Sequence, residues 1–191
     1  MKLPRKFFEK KTLRVAKELL GCFLIRRIGR RKIVARIIET EAYCGPKDLA
    51  NHASKGRTPR TEIMFGQAGY AYVYLIYGMY YCFNVVTERV NYPAAVLIRG
   101  MEINGQKIIG PGKVCRELEI DKKLNGLDLI KSQKLWIENR RLMNQNLESK
   151  IEDRRAKANQ QKFNIISLPR VGVDYAGEYK NKPWRFGIWK S

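Results

Sequence analysis

Tyr70-Ala71-Tyr72-Val73-Tyr74-Leu75-Ile76-Tyr77-Gly78-Met79-Tyr80-Tyr81-Cys82-Phe83-Asn84 is the stretch on which the fold of this chain turns. From Gln67 to Thr87 there is no formal charge, and the run is long enough to span a bilayer. Yet six of the ten tyrosines fall between 70 and 81, with Asn84 and two glycines in the same run. A spanning helix keeps tyrosine at its interfaces rather than through its middle. Strands joined by a turn fit better. Tyr70, Tyr72 and Tyr74 then share one face, Ala71, Val73 and Leu75 take the other, and Tyr77-Gly78-Met79 breaks the alternation. Strand character resumes from Tyr81 to Glu88, and Arg89 to Pro93 reads as a turn into a strand over Ala94 to Met101.

Upstream, Thr12 is placed as a helix N-cap, with Leu13, Ala16, Leu19 and Leu20 on one face and Gly21 as the stop. Cys22 to Ile28 and Ile33 to Tyr43 read as strands around the turn Gly29-Arg30-Arg31-Lys32. On a period of two, Ile33, Ala35, Ile37, Glu39, Glu41 and Tyr43 share a face that starts apolar and ends acidic. Cys44 to Gly69 is rich in loop residues, with Thr58-Pro59 opening a short helix over 59–64. Downstream, Ile108 to Lys113 precedes a helix over about 113–119. The charged, amide-rich stretch 139–162 reads as an exposed helix or mobile insertion, and Pro169 to Trp189 turns compact again.

At 191 residues the chain reads as one domain, 1–191, with enough length for a full core. Its formal charge of +20 speaks about partners, with nucleic acid first, then an anionic membrane or an acidic protein. Four cysteines without a C-x-x-C pair, and His52 as the one histidine, argue against a zinc site, so no metal and no cofactor is expected. The thiols read as reduced and cytosolic, and no apolar run follows the basic N-terminus as a signal peptide requires.

Three chemistries lie close together in sequence. Glu39 and Glu41 are carboxylates in a protein built for a polyanion, so they need a reason to be there. A salt bridge to an arginine explains Glu39. Glu41, nearer the polar end, is the better candidate for a general base in a glycosidic cleavage. The tyrosine face offers either an ordinary sheet core or a stacking platform worth about 1–3 kcal/mol per base. Lys55 to Arg60 is a basic loop that grips phosphates or is simply solvated. Ile109-Gly110-Pro111-Gly112-Lys113 has the look of a DNA-binding helix-hairpin-helix turn, though Gly-Pro-Gly is also ordinary turn chemistry.

The blocks E-T-E-A-Y-C-G-P (39–46), H-A-S-K-G-R-T-P-R (52–60), M-F-G (64–66), Y-V-Y-L-I-Y-G-M-Y-Y-C-F-N (72–84), V-L-I-R (96–99), G-P-G-K-V-C (110–115) and R-V-G-V-D-Y-A-G-E (170–178) together resemble the alkyladenine (3-methyladenine, methylpurine) DNA glycosylase family. They stand in the family's order and cover nearly the whole chain. The resemblance implies an α+β fold: a single mixed domain on a curved, open barrel-like antiparallel sheet with helices packed around it. It implies a monofunctional base-excision enzyme that flips damaged purines out of double-stranded DNA and hydrolyses the N-glycosidic bond with water. Such an enzyme acts as a cytoplasmic monomer, at the nucleoid in a bacterium. By matching positions, Glu41 activates the water, and Arg99 and the carbonyl of Val171 hold it. Tyr43 and His52 stack on one side of the base and Tyr74 on the other. Asn84 disfavours the 2-amino group of guanine, and Tyr77 fills the gap left in the helix. Arg57, Thr58, Met79, Tyr80 and Lys113 lie near the DNA backbone. The stretch 139–162 is longer and more charged than the family pattern and is expected to add nonspecific DNA affinity. Two other classes stay open: a non-catalytic damaged-DNA or RNA binder on the same scaffold, which has no need of Glu41, and a glycosidase of free nucleosides, which has no need of so positive a surface.

Overall fold

A computed structural model describes residues 1–139 and 164–188. The expectation for 139–162 therefore lies outside the described residues, apart from Asn139. Among the described residues the fold is a curled antiparallel sheet of nine strands with few helices. The strands are β1 (Phe23–Ile28), β2 (Arg31–Cys44), β3 (Ala71–Ile76), β4 (Tyr80–Val86), β5 (Ala94–Ile103), β6 (Gln106–Ile109), β7 (Leu135–Glu138), β8 (Ile165–Leu168) and β9 (Arg185–Ile188). The main order is β3-β4-β5-β2-β1-β7, with β6 added to β5, β9 to β2 and β8 to β9. Helices α1 (Arg5–Phe8), α2 (Thr12–Glu18) and α3 (Pro111–Glu117) pack around it.

The tyrosine stretch folds as its alternation predicts. Ala71 and Val73 enter the main core with Phe83 and Val85 of β4. Tyr72 is buried in a second cluster with Met64, Val86 and Ala95, flanked by Tyr70 and Tyr74. The hairpin closes through Met79 N–H to the Ile76 carbonyl at 3.2 Å. Both central residues are left-handed, Tyr77 at φ 53° and Gly78 at φ 70°. Glycine suits such a turn; tyrosine does not.

One expectation fails at the site's edge. Ile33, Ala35 and Ile37 do not share a face with Glu39, Glu41 and Tyr43. The β2–β5 register runs Ile37↔Met101, Glu39↔Gly100, Thr40↔Ile98, with irregularities on both sides of Glu39. Consecutive Ile37 and Ile38 both enter the core, followed by Ala42, while the Thr40 hydroxyl bonds the Ala16 carbonyl at 2.9 Å. A bulge shifts which residues face which side, since one extra residue inverts every side chain beyond it. The carboxylates thus leave the core face. Gly100 permits the close approach: a Cβ there would stand 2.9 Å from the Cβ of Glu39.

Local details shift too. Lys11, not Thr12, is the N-cap of α2. Thr12 opens the helix, and its hydroxyl turns to Thr87 at 3.0 Å and to Glu88 at 2.6 Å. The Glu88 carboxylate also accepts the Thr12 N–H at 3.0 Å, so capping comes from the other end of β4. The helix expected over 59–64 is a 3-10 turn over Glu62–Phe65, with the Thr58 hydroxyl accepting the Thr61 N–H at 3.3 Å. Helix α3 begins at Pro111, two residues earlier than expected, because proline at the first position needs no N–H partner.

Candidate active site

The bulge points Glu41 and Tyr43 into a cavity of about 420 Å³. Strand β3 and the hairpin tip supply Tyr72, Tyr74 and Tyr77, β4 supplies Tyr80, Cys82 and Asn84, and β5 supplies Leu97 and Arg99. His52 enters from the first residue of a 3-10 turn over His52–Lys55, Lys113 from the first turn of α3 and Val171 from a loop. Three residues matched to the DNA backbone stand outside this lining. Arg57 is exposed, bonded to Asn91 at 2.8 Å and stacked 4.6 Å over Phe65. The Thr58 hydroxyl pairs with that of Thr61 at 3.0 Å. Met79 projects from the hairpin beside Tyr77.

Glu41 is 1% exposed. One oxygen accepts the Tyr43 hydroxyl at 2.9 Å and the other accepts the Val171 N–H at 3.1 Å. The Arg99 guanidinium lies 3.5 Å away. Burial raises the Glu41 carboxyl above its ordinary range, and Arg99, the Val171 amide and the Tyr43 hydroxyl pull part of the way back. Val171 thus enters the site by its N–H on the carboxylate, where the family pattern assigns its carbonyl to water. The Tyr43 phenol, buried and facing Glu41, is pushed well above its usual value, so it stays a donor.

Glu39 is equally buried but differently used. One oxygen accepts Arg99 Nε at 3.2 Å and Arg185 Nη1 at 2.9 Å. The salt-bridge reading of Glu39 fits this geometry. Arg99 therefore spans both carboxylates, with Glu39 fixing it where Glu41 meets it.

The aromatic wall is a linked set. His52 Nδ1 lies 3.0 Å from the Tyr72 hydroxyl, and its ring meets Tyr74 edge to face at 4.5 Å. Arg60 stacks 5.0 Å over Tyr74 from outside. Tyr70 departs from the expected platform: it stands away from the cavity with Arg5 over its ring at 5.3 Å. Asn84 is buried, and its amide nitrogen donates to the Tyr72 carbonyl at 3.1 Å.

Burial, and then Arg60, push His52 down to about 4, so the ring is neutral near pH 7. Its ordinary value is 6.5, so between 6.5 and 4 the unfolded chain holds a proton that the native ring refuses. The associated stability is present above 6.5 and lost as pH falls toward 4. Urea midpoints at pH 7.5 and 5 are expected to differ less in His52→Asn than in the parent; equal differences would contradict a depressed His52.

Residues 6–191 match the family model for methylpurine-DNA glycosylase. The chain belongs to the methylpurine-DNA glycosylase family. Among its relatives, a protein of Methanocella arvoryzae is 44% identical over 200 residues, covering 96% of this chain and 90% of that protein. One from Legionella pneumophila (strain Corby) is 48% identical over 191 residues, covering 98% and 94%. One from Natranaerobius thermophilus is 40% identical over 206 residues, covering 98% and 96%. All three carry the provisional name 3-methyladenine DNA glycosylase.

Behind the cavity lining, several residues are given no role by the sequence. Arg185 stands opposite Glu41 in the β2–β9 register and reaches Glu39. Asp48 and Arg170 form a fully buried pair behind Tyr43, bonded at 2.6 and 2.8 Å. Asp48 lies in a loop outside the motif blocks, and Arg170 opens the block 170–178 without a role assigned to it, so the sequence does not mark the two as a pair. Among the described residues no group of three or more His, Cys, Asp or Glu could hold a metal ion, and no helix is long and apolar enough to cross a membrane.

Proposed function

We propose that this chain excises damaged purines, alkylated ones above all, from double-stranded DNA by hydrolysing the N-glycosidic bond without a lyase step. The observation that carries this is Glu41: a buried carboxylate at the floor of the cavity, with each oxygen holding one protein donor. An ionised carboxylate offers about four acceptor positions, so room is left for water. That water attacks C1′ while its proton passes to Glu41. The C1′–N bond breaks, its electron pair leaves with the base, and the carboxylate and its field stabilise the cation-like sugar. The raised carboxyl makes Glu41 a stronger base than an exposed glutamate. No lysine is needed as a nucleophile.

The flipped base would lie against the His52–Tyr74 wall, with Tyr43 beside it and Asn84 beneath. His52 and Tyr74 touch in the free protein, so a base stacked between them requires that contact to open. Tyr77 is the wedge: it is 80% exposed at the tip of the hairpin, at a left-handed turn position that glycine or asparagine would fill more easily. Base flipping costs a few kcal/mol of unstacking, which a plug in the vacated space offsets. Tyr77→Ala is expected to weaken capture of a fluorescent flipped base about tenfold, with a smaller effect on the rate of cleavage once captured. Unchanged capture would contradict the wedge role.

The test of substrate class compares one alkylated purine in a duplex with the same lesion as a free nucleoside. Release from the duplex alone is expected. Equal turnover of the nucleoside would favour a nucleosidase, and tight duplex binding without release would favour a non-catalytic binder.

A further inference from the structure

Glu41 is held by two donors, the Tyr43 hydroxyl and the Val171 N–H, which arrive from segments far apart in sequence. One guanidinium touches the supports of both. Arg170 immediately precedes Val171, and its guanidinium stacks 4.8 Å over the Tyr43 ring and 5.1 Å over Trp184. Arg170 Nη1 donates to the Ala42 carbonyl at 2.9 Å, next to Glu41 on β2. Its two terminal nitrogens fork onto Asp48 at 2.6 and 2.8 Å, and Nη2 also reaches the Tyr179 carbonyl at 3.3 Å. Asp48 in turn accepts the N–H groups of Cys44 and Ala50, fixing the loop that leads to His52.

The pair is out of water, with both side chains 0% exposed. Buried ion pairs gain little stability over well-packed apolar residues, because desolvation offsets the attraction. Among the described residues Arg170 Nε has no hydrogen-bond partner, a further cost of this placement. Stability alone is therefore a poor reason for the pair. Geometry is a better one: a planar fork can bond a carboxylate, stack on a phenol ring and anchor its own backbone at once, which a lysine cannot.

We propose that Arg170 and Asp48 are positioning residues for Glu41, locking the Val171 amide and the Tyr43 hydroxyl onto its two oxygens. This rests on the proposed role of Glu41 as the base. Both donors favour the ionised carboxylate, so loosening them lets burial raise it further. The other groups facing Glu41 stay in place: Glu39 on β2, Tyr74 on β3, Cys82 on β4, Arg99 on β5, and Arg185 on β9.

The test is the pH profile of single-turnover base release. The double variant Asp48→Asn with Arg170→Gln replaces the pair by neutral hydrogen-bonding side chains, so no charge is left alone. Arg170→Lys keeps the charge and removes the fork; it serves if the double variant does not fold, and it separates geometry from field. In both, the acid limb is expected to move up by about one pH unit, with release below the limb slowed about tenfold and duplex affinity retained. An acid limb at or below the parent's position, whatever the rate, overturns the inference. Glu41→Gln in the parent background guards the reading beneath it. If Glu41→Gln still releases base, the role of Glu41 fails. If it is inactive while the limb stays put, only the positioning role fails.

Discussion

Glu41→Gln is expected to slow base release from alkylated duplex DNA by about 10²–10⁴-fold, the range for loss of a general base. The amide nearly matches the shape of the carboxylate but cannot take a proton from water. Its oxygen can still accept from Val171 or from Tyr43, so the fold should persist. Duplex affinity should hold or rise, because a carboxylate facing a polyanion has been neutralised. Glu39→Gln separates the two acids. Its carboxylate anchors Arg99 and Arg185, so its loss should lower stability by about 1.5–3 kcal/mol, the range for hydrogen bonds to charged groups, and disturb Arg99. Its effect on release, measured in folded protein at single turnover, should be much the smaller. Turnover that survives Glu41→Gln but not Glu39→Gln would reverse the assignment.

Salt should act on duplex binding nearly as strongly. A protein of charge +20 that neutralises roughly six to ten phosphates loses about 10³–10⁵ in affinity between about 50 and 200 mM salt, because each contact releases counterions. The proposed site has cations at its mouth: Lys113 at the cavity, Arg60 over Tyr74, and Arg57 on the neighbouring loop. Anisotropy titrations on undamaged duplex should give a linear log–log plot with a steep negative slope. A flat plot would contradict an electrostatic DNA surface.

The tyrosine hairpin was legible because period-two alternation directly encodes two faces, and Gly78 marks the turn. The faces of β2 were legible only as far as Ile37. Beyond it the bulge re-aims Glu39, Glu41 and Tyr43, and a bulge is a property of pairing with β5 that no residue in β2 announces. Thr12 has the chemistry of a cap, yet Glu88 from the far end of β4 takes that role, a tertiary partner overriding a local preference. The strands β6, β7, β8 and β9 are four residues each, too short for periodicity to identify. The motif blocks drew together most of the cavity lining. The Asp48–Arg170 pair stayed hidden: Asp48 lies outside the motif blocks, and Arg170, though it opens the block 170–178, reads as one more surface cation until the fold buries both.

The most direct test of the account is a time course on an end-labelled duplex carrying one alkylated purine, with the protein in excess. Free base is followed by chromatography and strand integrity by gel, before and after alkali and with borohydride present. Hydrolysis by a Glu41-activated water predicts free base appearing with intact strands, cleavage only after alkali, and no trapped protein–DNA adduct. Absence of free base, or strands cut before alkali with an adduct trapped by borohydride, would contradict it.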